Sequence, residues 1–296
     1  MADNPGPYTY LGTGTYLVGR GDVAVIDPGP SKPADHVDAI LAGLEPGETI
    51  THLVVTHSHG DHSSASKALG ERVGAPTYGF GPMLFQDVPT DDSDKIVFGD
   101  PEADEDPPPS EPREGLDRGF TPDVALVDGE VLEGGSWSLE AVHTPGHASN
   151  HLCYLLREEG LLFSGDQVMG WSTSVISPPD GDLGQYMASL EKLLARRTDL
   201  RYRPTHGPEI ANPHAYVAAL LAHRRERSAG ILKVLDEAPA TIAEIVPRLY
   251  SDVGKRLWRG AAASVYAHLL HLHDVGEVSV VGGGDLKRTS RFGRSR

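Results

Sequence analysis

The most informative chemistry in this chain of 296 residues lies in one short segment, where four potential metal ligands fall within six positions. The four are His57, His59, Asp61 and His62. Imidazole nitrogens combined with a carboxylate oxygen are the donors that a borderline ion such as zinc prefers. Residues 50–55, just before them, are apolar and mostly β-branched, which predicts a buried strand. The ligands therefore lie on the loop where a strand ends.

Such a loop can serve two ions, because His57 and His59 can reach one while Asp61 and His62 face another. The alternative is a histidine-rich surface turn without metal. That alternative is disfavoured because the rest of the chain supplies further ligands in order. After the loop, residues 63–69 predict a short helix that Gly70 closes.

Three later segments each place one His or Asp beside a glycine, just past a predicted strand. His147 follows residues 137–142, Asp166 follows residues 160–162, and His206 follows residues 200–203. Glycine lets the backbone turn sharply there and leaves room around a ligand. Taken singly, a His after a strand is more often structural. Taken together with the first motif, the three segments indicate a metal site.

His151, four residues after His147, leaves two interpretations open. It is either a structural His at the start of a buried strand, or a group near the metal cavity that supports the site or faces the substrate. Cys153, the single cysteine, is predicted to be a buried strand thiol and not a nucleophile. A lone cysteine excludes an intramolecular disulfide.

In this order the motifs resemble those of the metallo-β-lactamase-fold hydrolase superfamily, over the first three quarters of the chain. The resemblance implies an α/β fold, a four-layer αββα sandwich, in which Asp27 orders the site from a strand end. It also implies two Zn2+ ions that share an attacking hydroxide, with Asp61 as both a ligand and a catalytic residue. The implied ligands are His57, His59 and His147 for one ion, and Asp61, His62 and His206 for the other, with Asp166 bridging them.

Branches of this superfamily differ at identifiable positions. Drug-hydrolysing zinc β-lactamases generally lack the bridging carboxylate, here Asp166, and diiron oxygen reductases usually carry Glu where this chain has His59. The pattern is similar to that of glyoxalase II, the tRNA 3′-processing nucleases, the lactonases and the β-lactamase-like protein 2 branch. Residues 13–19 are also typical of this last branch. A mononuclear iron persulfide dioxygenase retains similar ligands, so other divalent metals stay open.

The C-terminal quarter, residues 225–296, is predicted to form a winged-helix-like domain with a basic tail, behind a catalytic domain of residues 1–224. Helices are predicted over residues 212–236, from a capping box at Thr241 and Glu244 toward Leu249, and over residues 260–272. Strands over residues 276–281 and 286–288, joined by a glycine turn, complete the pattern. Because the third helix is poor in basic residues, sequence-specific DNA binding is disfavoured.

The formal net charge of −16 is unevenly placed. Residues 1–224 carry 14 basic and 34 acidic side chains, whereas residues 225–296 carry 12 basic and 8 acidic ones. Residues 87–128 alone hold 14 acids against 3 bases, without periodicity. We predict a long solvated insertion there, either a surface loop or a lid beside the active site. A negative lid would disfavour long polyanions.

The leading functional hypothesis, from the resemblance, is a dinuclear zinc hydrolase of phosphodiesters, with single-stranded RNA as substrate. The alternative substrates are a thioester, a lactone or another activated ester, as in glyoxalase II or the lactonases. A β-lactamase or a non-catalytic binding protein is less favoured. No run approaches the ~20 apolar residues of a membrane span, and no charged-then-apolar leader begins the chain. We therefore expect a cytoplasmic protein with no membrane contact, and a homodimer stays open.

Overall fold

Two five-stranded sheets form the N-terminal part of the protein in the computed structural model, which describes residues 1–33, 35–84, 96–104, 115–252 and 254–295. The strands of the first sheet are β1 (Tyr16–Val18), β2 (Asp22–Ile26), β3 (Thr49–Val54), β4 (Thr77–Gly79) and β5 (Val124–Ala125). They lie in sequence order; β1 is antiparallel to β2, and the other neighbours are parallel. The carboxyl ends of β2, β3 and β4 therefore meet at one edge.

The second sheet faces the first. Its strands are β6 (Val131–Glu133), β7 (Ser138–His143), β8 (Leu152–Leu156), β9 (Leu161–Gly165) and β10 (Arg201–Pro204). They are ordered β10-β9-β8-β7-β6, with β9 and β10 parallel and the other neighbours antiparallel. All five residues of β8 are buried, as expected for a strand with apolar layers on both faces.

Helices cover the outer face of each sheet. The helices are α1 (Asp35–Ala42), α2 (Gly60–Ser63), α3 (Ser66–Val73), α4 (Pro101–Asp104), α5 (Leu183–Ala195), α6 (Pro213–Glu237), α7 (Ile242–Leu249) and α8 (Trp258–Asp274). An apolar core that includes Ile26 and Leu139 lies between the sheets. Ile40 of α1 packs on the first sheet and Leu190 of α5 packs on the second. The helix–sheet–sheet–helix order confirms the predicted αββα sandwich.

The prediction that Gly70 ends the helix that follows the loop of residues 57–62 is wrong. The helix, α3, continues to Val73 and ends at Gly74, which adopts a left-handed backbone with φ of 74°. The amide of Gly74 donates to the carbonyl of Gly70 at 2.8 Å, so Gly70 belongs to the last turn. Both glycines fit the sequence pattern of a helix end, but only Gly74 has the backbone conformation that glycine favours there.

The C-terminal domain has the predicted winged-helix-like architecture. Helices α6, α7 and α8 pack around a three-stranded sheet of β11 (Ala240–Thr241), β12 (Val278–Val280) and β13 (Arg291–Arg294), ordered β11-β13-β12. The capping box is confirmed, since the carboxylate of Glu244 accepts the main-chain N–H of Thr241 at 2.7 Å. The leucines of α8 pack in the domain's own core, which includes Leu269 and Leu272.

The prediction of a strand over residues 286–288 is wrong. The second strand of the wing, β13, starts at Arg291, because Phe292 is the residue that the domain core buries completely. A turn precedes it, in which the amide of Ser290 donates to the carbonyl of Lys287 at 3.0 Å. The alternating pattern of this short segment is too weak to fix its register without that buried ring.

Helix α6 joins the two domains without a break. Its first half packs Val217 and Leu221 against the second sheet, and its last turns pack Ile231 and Val234 into the C-terminal core. The predicted boundary between residues 224 and 225 falls inside this helix and stays a prediction. Within the described ranges, neither α6 nor any other helix has both the length and the apolar composition that would span a bilayer.

The described parts of the predicted solvated insertion over residues 87–128 include buried apolar residues. Residues 85–95 and 105–114 lie outside the described residues. Residues 96–104, which we call the clasp, cross to the C-terminal domain and bury Ala103 in its core. Further on, Leu126 is buried between the two sheets, just after β5. The acidic composition of the segment concealed these apolar anchors.

One aromatic contact and one ion pair also connect the clasp to the C-terminal domain. Phe98 lies 5.5 Å from Trp258 between ring centroids. Lys255 pairs with the carboxylate of Asp100 at 2.5 Å. Exposed ion pairs contribute little, so buried apolar contact supplies most of the stabilisation.

We predict that Ala103→Asp destabilises the C-terminal domain by about 3 kcal/mol or more, because it places an unpaired carboxylate in an apolar core. Chemical denaturation followed by tryptophan fluorescence would measure the change, since Trp258 lies in that core. The matched control is Glu102→Gln, whose side chain is exposed one residue earlier. Equal stability of the two variants would show that the clasp does not belong to the domain core.

Candidate metal centre

The buried carboxylate of Asp27 organises the edge where the two sheets meet. Its Oδ1 accepts the main-chain N–H of Thr56 at 2.8 Å. Its Oδ2 accepts the hydroxyls of Thr56 and Thr205, both at 2.9 Å. His62 Nδ1 donates to the same Oδ2 at 2.9 Å. One side chain thus fixes the segments that follow β2, β3 and β10, which agrees with the ordering role predicted for Asp27.

Three histidines converge on one point beside this edge. His59 Nδ1 lies 2.9 Å from His57 Nε2 and 3.1 Å from His147 Nε2. His57 and His59 come from the loop after β3, whereas His147 comes from the loop after β7. Ligand atoms of these three side chains lie close enough together to hold one metal ion.

A second group lies next to the first. Asp61 Oδ2 is 3.1 Å from His206 Nε2 and 3.4 Å from His62 Nε2. Asp166 stands between the groups, with Oδ2 3.6 Å from His147 Nε2 and Oδ1 3.4 Å from His206 Nε2. The structure therefore brings together all seven side chains proposed as ligands, and its geometry permits Asp166 to bridge.

Two observations test whether these residues fit metal ions. Tetrahedral zinc with Zn–N bonds of about 2.0–2.1 Å places its ligand atoms about 3.3 Å apart, close to the separations found here. In addition, His62 Nε2 and Asp166 Oδ1 are buried without a hydrogen-bond partner in the described part of the chain. Buried polar atoms are normally satisfied, and a cation bound here would satisfy both. The donor set fits metal binding.

Burial keeps the histidines of the first group neutral. Together with the nearby His147, it lowers the pKa of His59 to about 3. It also holds the pKa of His57 well below the usual range, with His62 and His59 acting in the same direction. A neutral imidazole keeps the lone pair that a metal needs.

The carboxylates of the second group are held ionised. Burial opposes ionisation of Asp166, but His206 and His62 outweigh it and lower the pKa of this carboxyl group. For His62, burial lowers the pKa, but Asp61 and Asp166 reverse this effect and raise the pKa well above its usual value. The second group therefore carries excess negative charge that attracts a cation, a proton or a metal ion.

Main-chain carbonyls orient two of the histidines. His147 Nδ1 donates to the carbonyl of Val175 at 2.7 Å, and His206 Nδ1 donates to that of Gly12 at 3.3 Å. Each bond leaves Nε2 free to face the centre, which is how partners of metal-bound imidazoles fix the tautomer. Gly12 and Val175 could not be predicted from the sequence, because a main-chain carbonyl acceptor does not depend on residue type.

His151 supports the centre from behind. It is completely buried, and its Nε2 accepts the main-chain N–H of Asp166 at 3.1 Å. Its Nδ1 lies 2.9 Å from the hydroxyl of Thr144. Both ring nitrogens are thus engaged within the protein, which favours a structural role that positions Asp166. Cys153 lies beside it, where burial raises the pKa of the thiol to about 12, which confirms a buried strand thiol.

A further buried residue, Arg224 of α6, connects the helical layer to the centre. Its guanidinium donates to the carbonyl of Ser174 at 2.5 Å, and the hydroxyl of Ser174 donates to the carbonyl of Asp166 at 2.5 Å. Arg224 also lies 5.2 Å from the ring centroid of Tyr186. The helical pattern of α6 gave no signal for this role.

The end of the acidic insertion lies against the metal-binding loop. The amide of Gly60 donates to the carbonyl of Gly115 at 2.9 Å, and the amide of Asp117 donates to the carbonyl of Ser58 at 2.9 Å. The carboxylate of Asp117 also accepts the hydroxyl of Ser63 at 2.8 Å. The insertion was predicted to be either a surface loop or a lid beside the active site, and these contacts favour the second interpretation.

Comparison with protein families identifies both parts of the chain. A family model described as the metallo-beta-lactamase superfamily matches residues 9–206. A second, described as the beta-lactamase associated winged helix domain, matches residues 241–285. The two matches follow the division between the sandwich and the C-terminal domain.

Similar proteins span most of this chain. The beta-lactamase-like protein 2 homolog of Caenorhabditis elegans is 31% identical over 255 residues, which cover 85% of this chain and 75% of that protein. The atrochrysone carboxyl ACP thioesterase of Claviceps purpurea is 29% identical over 261 residues, covering 85% and 71%. Among solved structures, a metallo-beta-lactamase family protein from Thermus thermophilus is 26% identical, with a TM-score of 0.74 and coverage of 98% and 96%.

We predict that protein purified without added metal contains about two zinc-class ions per chain, because two donor groups share one carboxylate. Elemental analysis measures this directly. Asp166→Ala should lower the metal content, since it removes the shared ligand. Fully active protein without metal would contradict the prediction, and a single redox-active iron would favour the dioxygenase branch.

We predict that His151→Ala weakens metal binding about 10- to 100-fold, because the main-chain N–H of Asp166 loses its acceptor. Competition with a chromophoric chelator measures the affinity. The control is His52→Ala, which removes a histidine packed between Tyr78 and Trp137, away from the ligands. Unchanged affinity in the His151 variant would remove this residue from the support of the centre.

Proposed function

Because this chain belongs to the metallo-beta-lactamase superfamily and is one of its hydrolases, we propose that it is a two-metal enzyme that hydrolyses thioesters or closely related activated esters. The observation that carries the proposal is the pair of donor groups that meet at Asp166. We propose His57, His59 and His147 as ligands of one ion, Asp61, His62 and His206 as ligands of the other, and Asp166 as the bridge. Zinc is the ion we expect, since all the donors are nitrogen or oxygen.

Each part of the chain contributes a defined function to this proposal. Ions bound there would supply a water that ionises near neutral pH and would polarise the carbonyl under attack. Asp27 holds His62 in place, and the carbonyls of Gly12 and Val175 hold His206 and His147. These fixed partners prevent the ligands from turning away during the reaction.

Asp61 is the residue that we propose to handle the proton of the leaving group. His62 and His206 overcome the effect of burial and hold the pKa of this carboxyl well below its usual range, so that it is ionised. Thr13 donates its hydroxyl to Asp61 Oδ2 at 3.4 Å, which restricts the carboxylate to one orientation. Asp61 thus combines a ligand role with general acid–base chemistry.

Two observations favour an uncharged carbonyl substrate over a polyanion. Residues 1–224, which contain the whole centre, carry 34 acidic and 14 basic side chains. Such a surface repels a nucleic acid backbone and slows its approach. The Claviceps relative is itself named as a thioesterase.

Single-stranded RNA is the second candidate, and the branch with the beta-lactamase-like protein 2 homolog supports it through the resemblance of the motifs. The winged-helix domain offers a surface that could take part in nucleic acid binding. We rank this candidate below thioesters because the charge of the sandwich opposes it.

We predict that the zinc-loaded protein hydrolyses an acyl-glutathione thioester faster than it cleaves single-stranded RNA, a lactone or a β-lactam. A parallel assay at one enzyme concentration, with chelator-treated protein as the blank, measures the four rates. Cleavage of RNA as the fastest activity would overturn the choice of substrate. If all four activities survived removal of the metal by a chelator, the two-metal mechanism would be overturned.

We predict that Asp61→Asn lowers turnover of the preferred substrate by about 100-fold or more, because the amide cannot accept the proton. The control is Asp38→Asn, an exposed acid on α1 that pairs with Arg72. Circular dichroism would verify that the fold is retained. Near wild-type turnover in the Asp61 variant would remove this residue from the mechanism.

A further inference from the structure

Two aromatic rings stack on the surface beside the centre. The ring centroids of Tyr10 and Trp171 lie 5.0 Å apart, with an angle of 19° between the planes. Tyr10 nevertheless remains 41% exposed and Trp171 36% exposed. Large exposed aromatic side chains that pack in pairs are typical of binding surfaces.

Hydrogen bonds connect the segments that carry both rings to His206. Tyr10 lies two residues before Gly12, whose carbonyl accepts from His206 Nδ1 at 3.3 Å. Trp171 directly follows Gly170, whose amide donates to the carbonyl of His206 at 2.9 Å. The stacked pair therefore flanks the His206 side of the centre.

The backbone of Tyr10 is held in a conformation that a tyrosine rarely adopts. Its φ is 58°, in the left-handed region. Two main-chain hydrogen bonds with Gly6 hold it there. The amide of Tyr10 donates to the carbonyl of Gly6 at 2.9 Å, and the amide of Gly6 donates to the carbonyl of Tyr10 at 3.2 Å. A non-glycine residue in this region costs free energy, and such residues concentrate at functional sites.

Three exposed apolar side chains lie on segments that contact the loops of His59 and His147. Leu116 forms a main-chain bridge with His59, and the carbonyl of Val175 accepts from His147 Nδ1. Both side chains are exposed, as is that of Leu84, whose amide donates to the hydroxyl of Ser149. These exposed apolar side chains lie on segments that contact the ligand-bearing loops.

We propose that Tyr10 and Trp171 bind the apolar, planar acyl group of the substrate and so determine its specificity. This inference rests on the proposed function for the identity of the scissile bond, but the binding surface exists independently of it. Tyr8 and Leu11, which flank Tyr10, are also exposed. Such neighbours favour an apolar acyl group, whereas a nucleotide would bring phosphate groups against them.

A binding measurement tests the surface without any catalysis. The chain has three tryptophans, of which Trp137 and Trp258 are buried, so the indole N–H signals in an NMR spectrum report separately on Trp171. Trp171→Phe assigns its signal. We expect 2-naphthoate to shift the Trp171 signal and acetate at equal concentration to leave it unchanged. Tyr10→Gly, which keeps the left-handed backbone, should weaken naphthoate binding at least 5-fold. The control variant Leu200→Ala, directly before the start of β10, should leave naphthoate binding unchanged.

A kinetic measurement connects the surface to the reaction. Trp171→Ala should raise KM for a 2-naphthoyl thioester about 10-fold and leave KM for the acetyl thioester unchanged. An equal loss on both thioesters would overturn the specificity role. A Trp171 signal that responds to a nucleoside monophosphate and not to naphthoate would overturn the acyl assignment.

The outcomes also separate this inference from the proposed function. If no thioester is hydrolysed while naphthoate still shifts the Trp171 signal, the proposed function fails and the binding surface stands. If thioesters are hydrolysed while Trp171→Ala changes neither KM nor naphthoate binding, the proposed function stands and this inference fails.

Discussion

The carboxylate of Asp27 is the interaction on which the rest of the site depends. It is fully buried, and a buried carboxylate is tolerated only when hydrogen bonds replace its lost hydration. Thr56 and Thr205 supply such bonds from the ends of β3 and β10, which belong to different sheets, and His62 supplies one from the metal-binding loop. The desolvation penalty of one side chain thus forces both sheets and the loop into a single arrangement.

The electrostatics of the centre follow from the same burial. Desolvation removes charge from His57 and His59, whereas neighbouring imidazoles keep Asp61 and Asp166 ionised in spite of it. Neutral nitrogens of the first group therefore lie beside anionic oxygens of the second. The imidazole of His62, whose pKa is raised, must lose a proton before its free nitrogen can bind a cation, so metal binding there releases a proton.

The sequence predicted the parts of the site that depend on residue type and short spacing. His57 and Asp166 could be recognised because a strand end, a glycine and a ligand type coincide within a few positions. The carbonyls of Gly12 and Val175 could not be recognised, since every residue carries one. The stack of Tyr10 on Trp171 was equally hidden, because it joins segments that are distant along the chain.

The same limit explains the errors in the fold. The αββα layers follow from apolar strands, which are visible locally, and the winged helix follows from a capping box and helical periodicity. The clasp has no such signal, because its buried Ala103 and its partly buried Ile96 and Phe98 lie in an acidic segment without periodicity. The end of α3 was misplaced because Gly70 and Gly74 differ only in backbone conformation.

The path of the clasp also bears on how this architecture could have been assembled. Within the residues that the structure describes, the chain enters the C-terminal core at residues 96–104, returns to the first sheet at β5, and reaches the same core again through α6. The two domains are therefore interleaved, and the later one is incomplete without a piece encoded far upstream. A gene fusion that appended the winged helix alone would have left its core open. Recombination at residue 224 would therefore not exchange the domains intact.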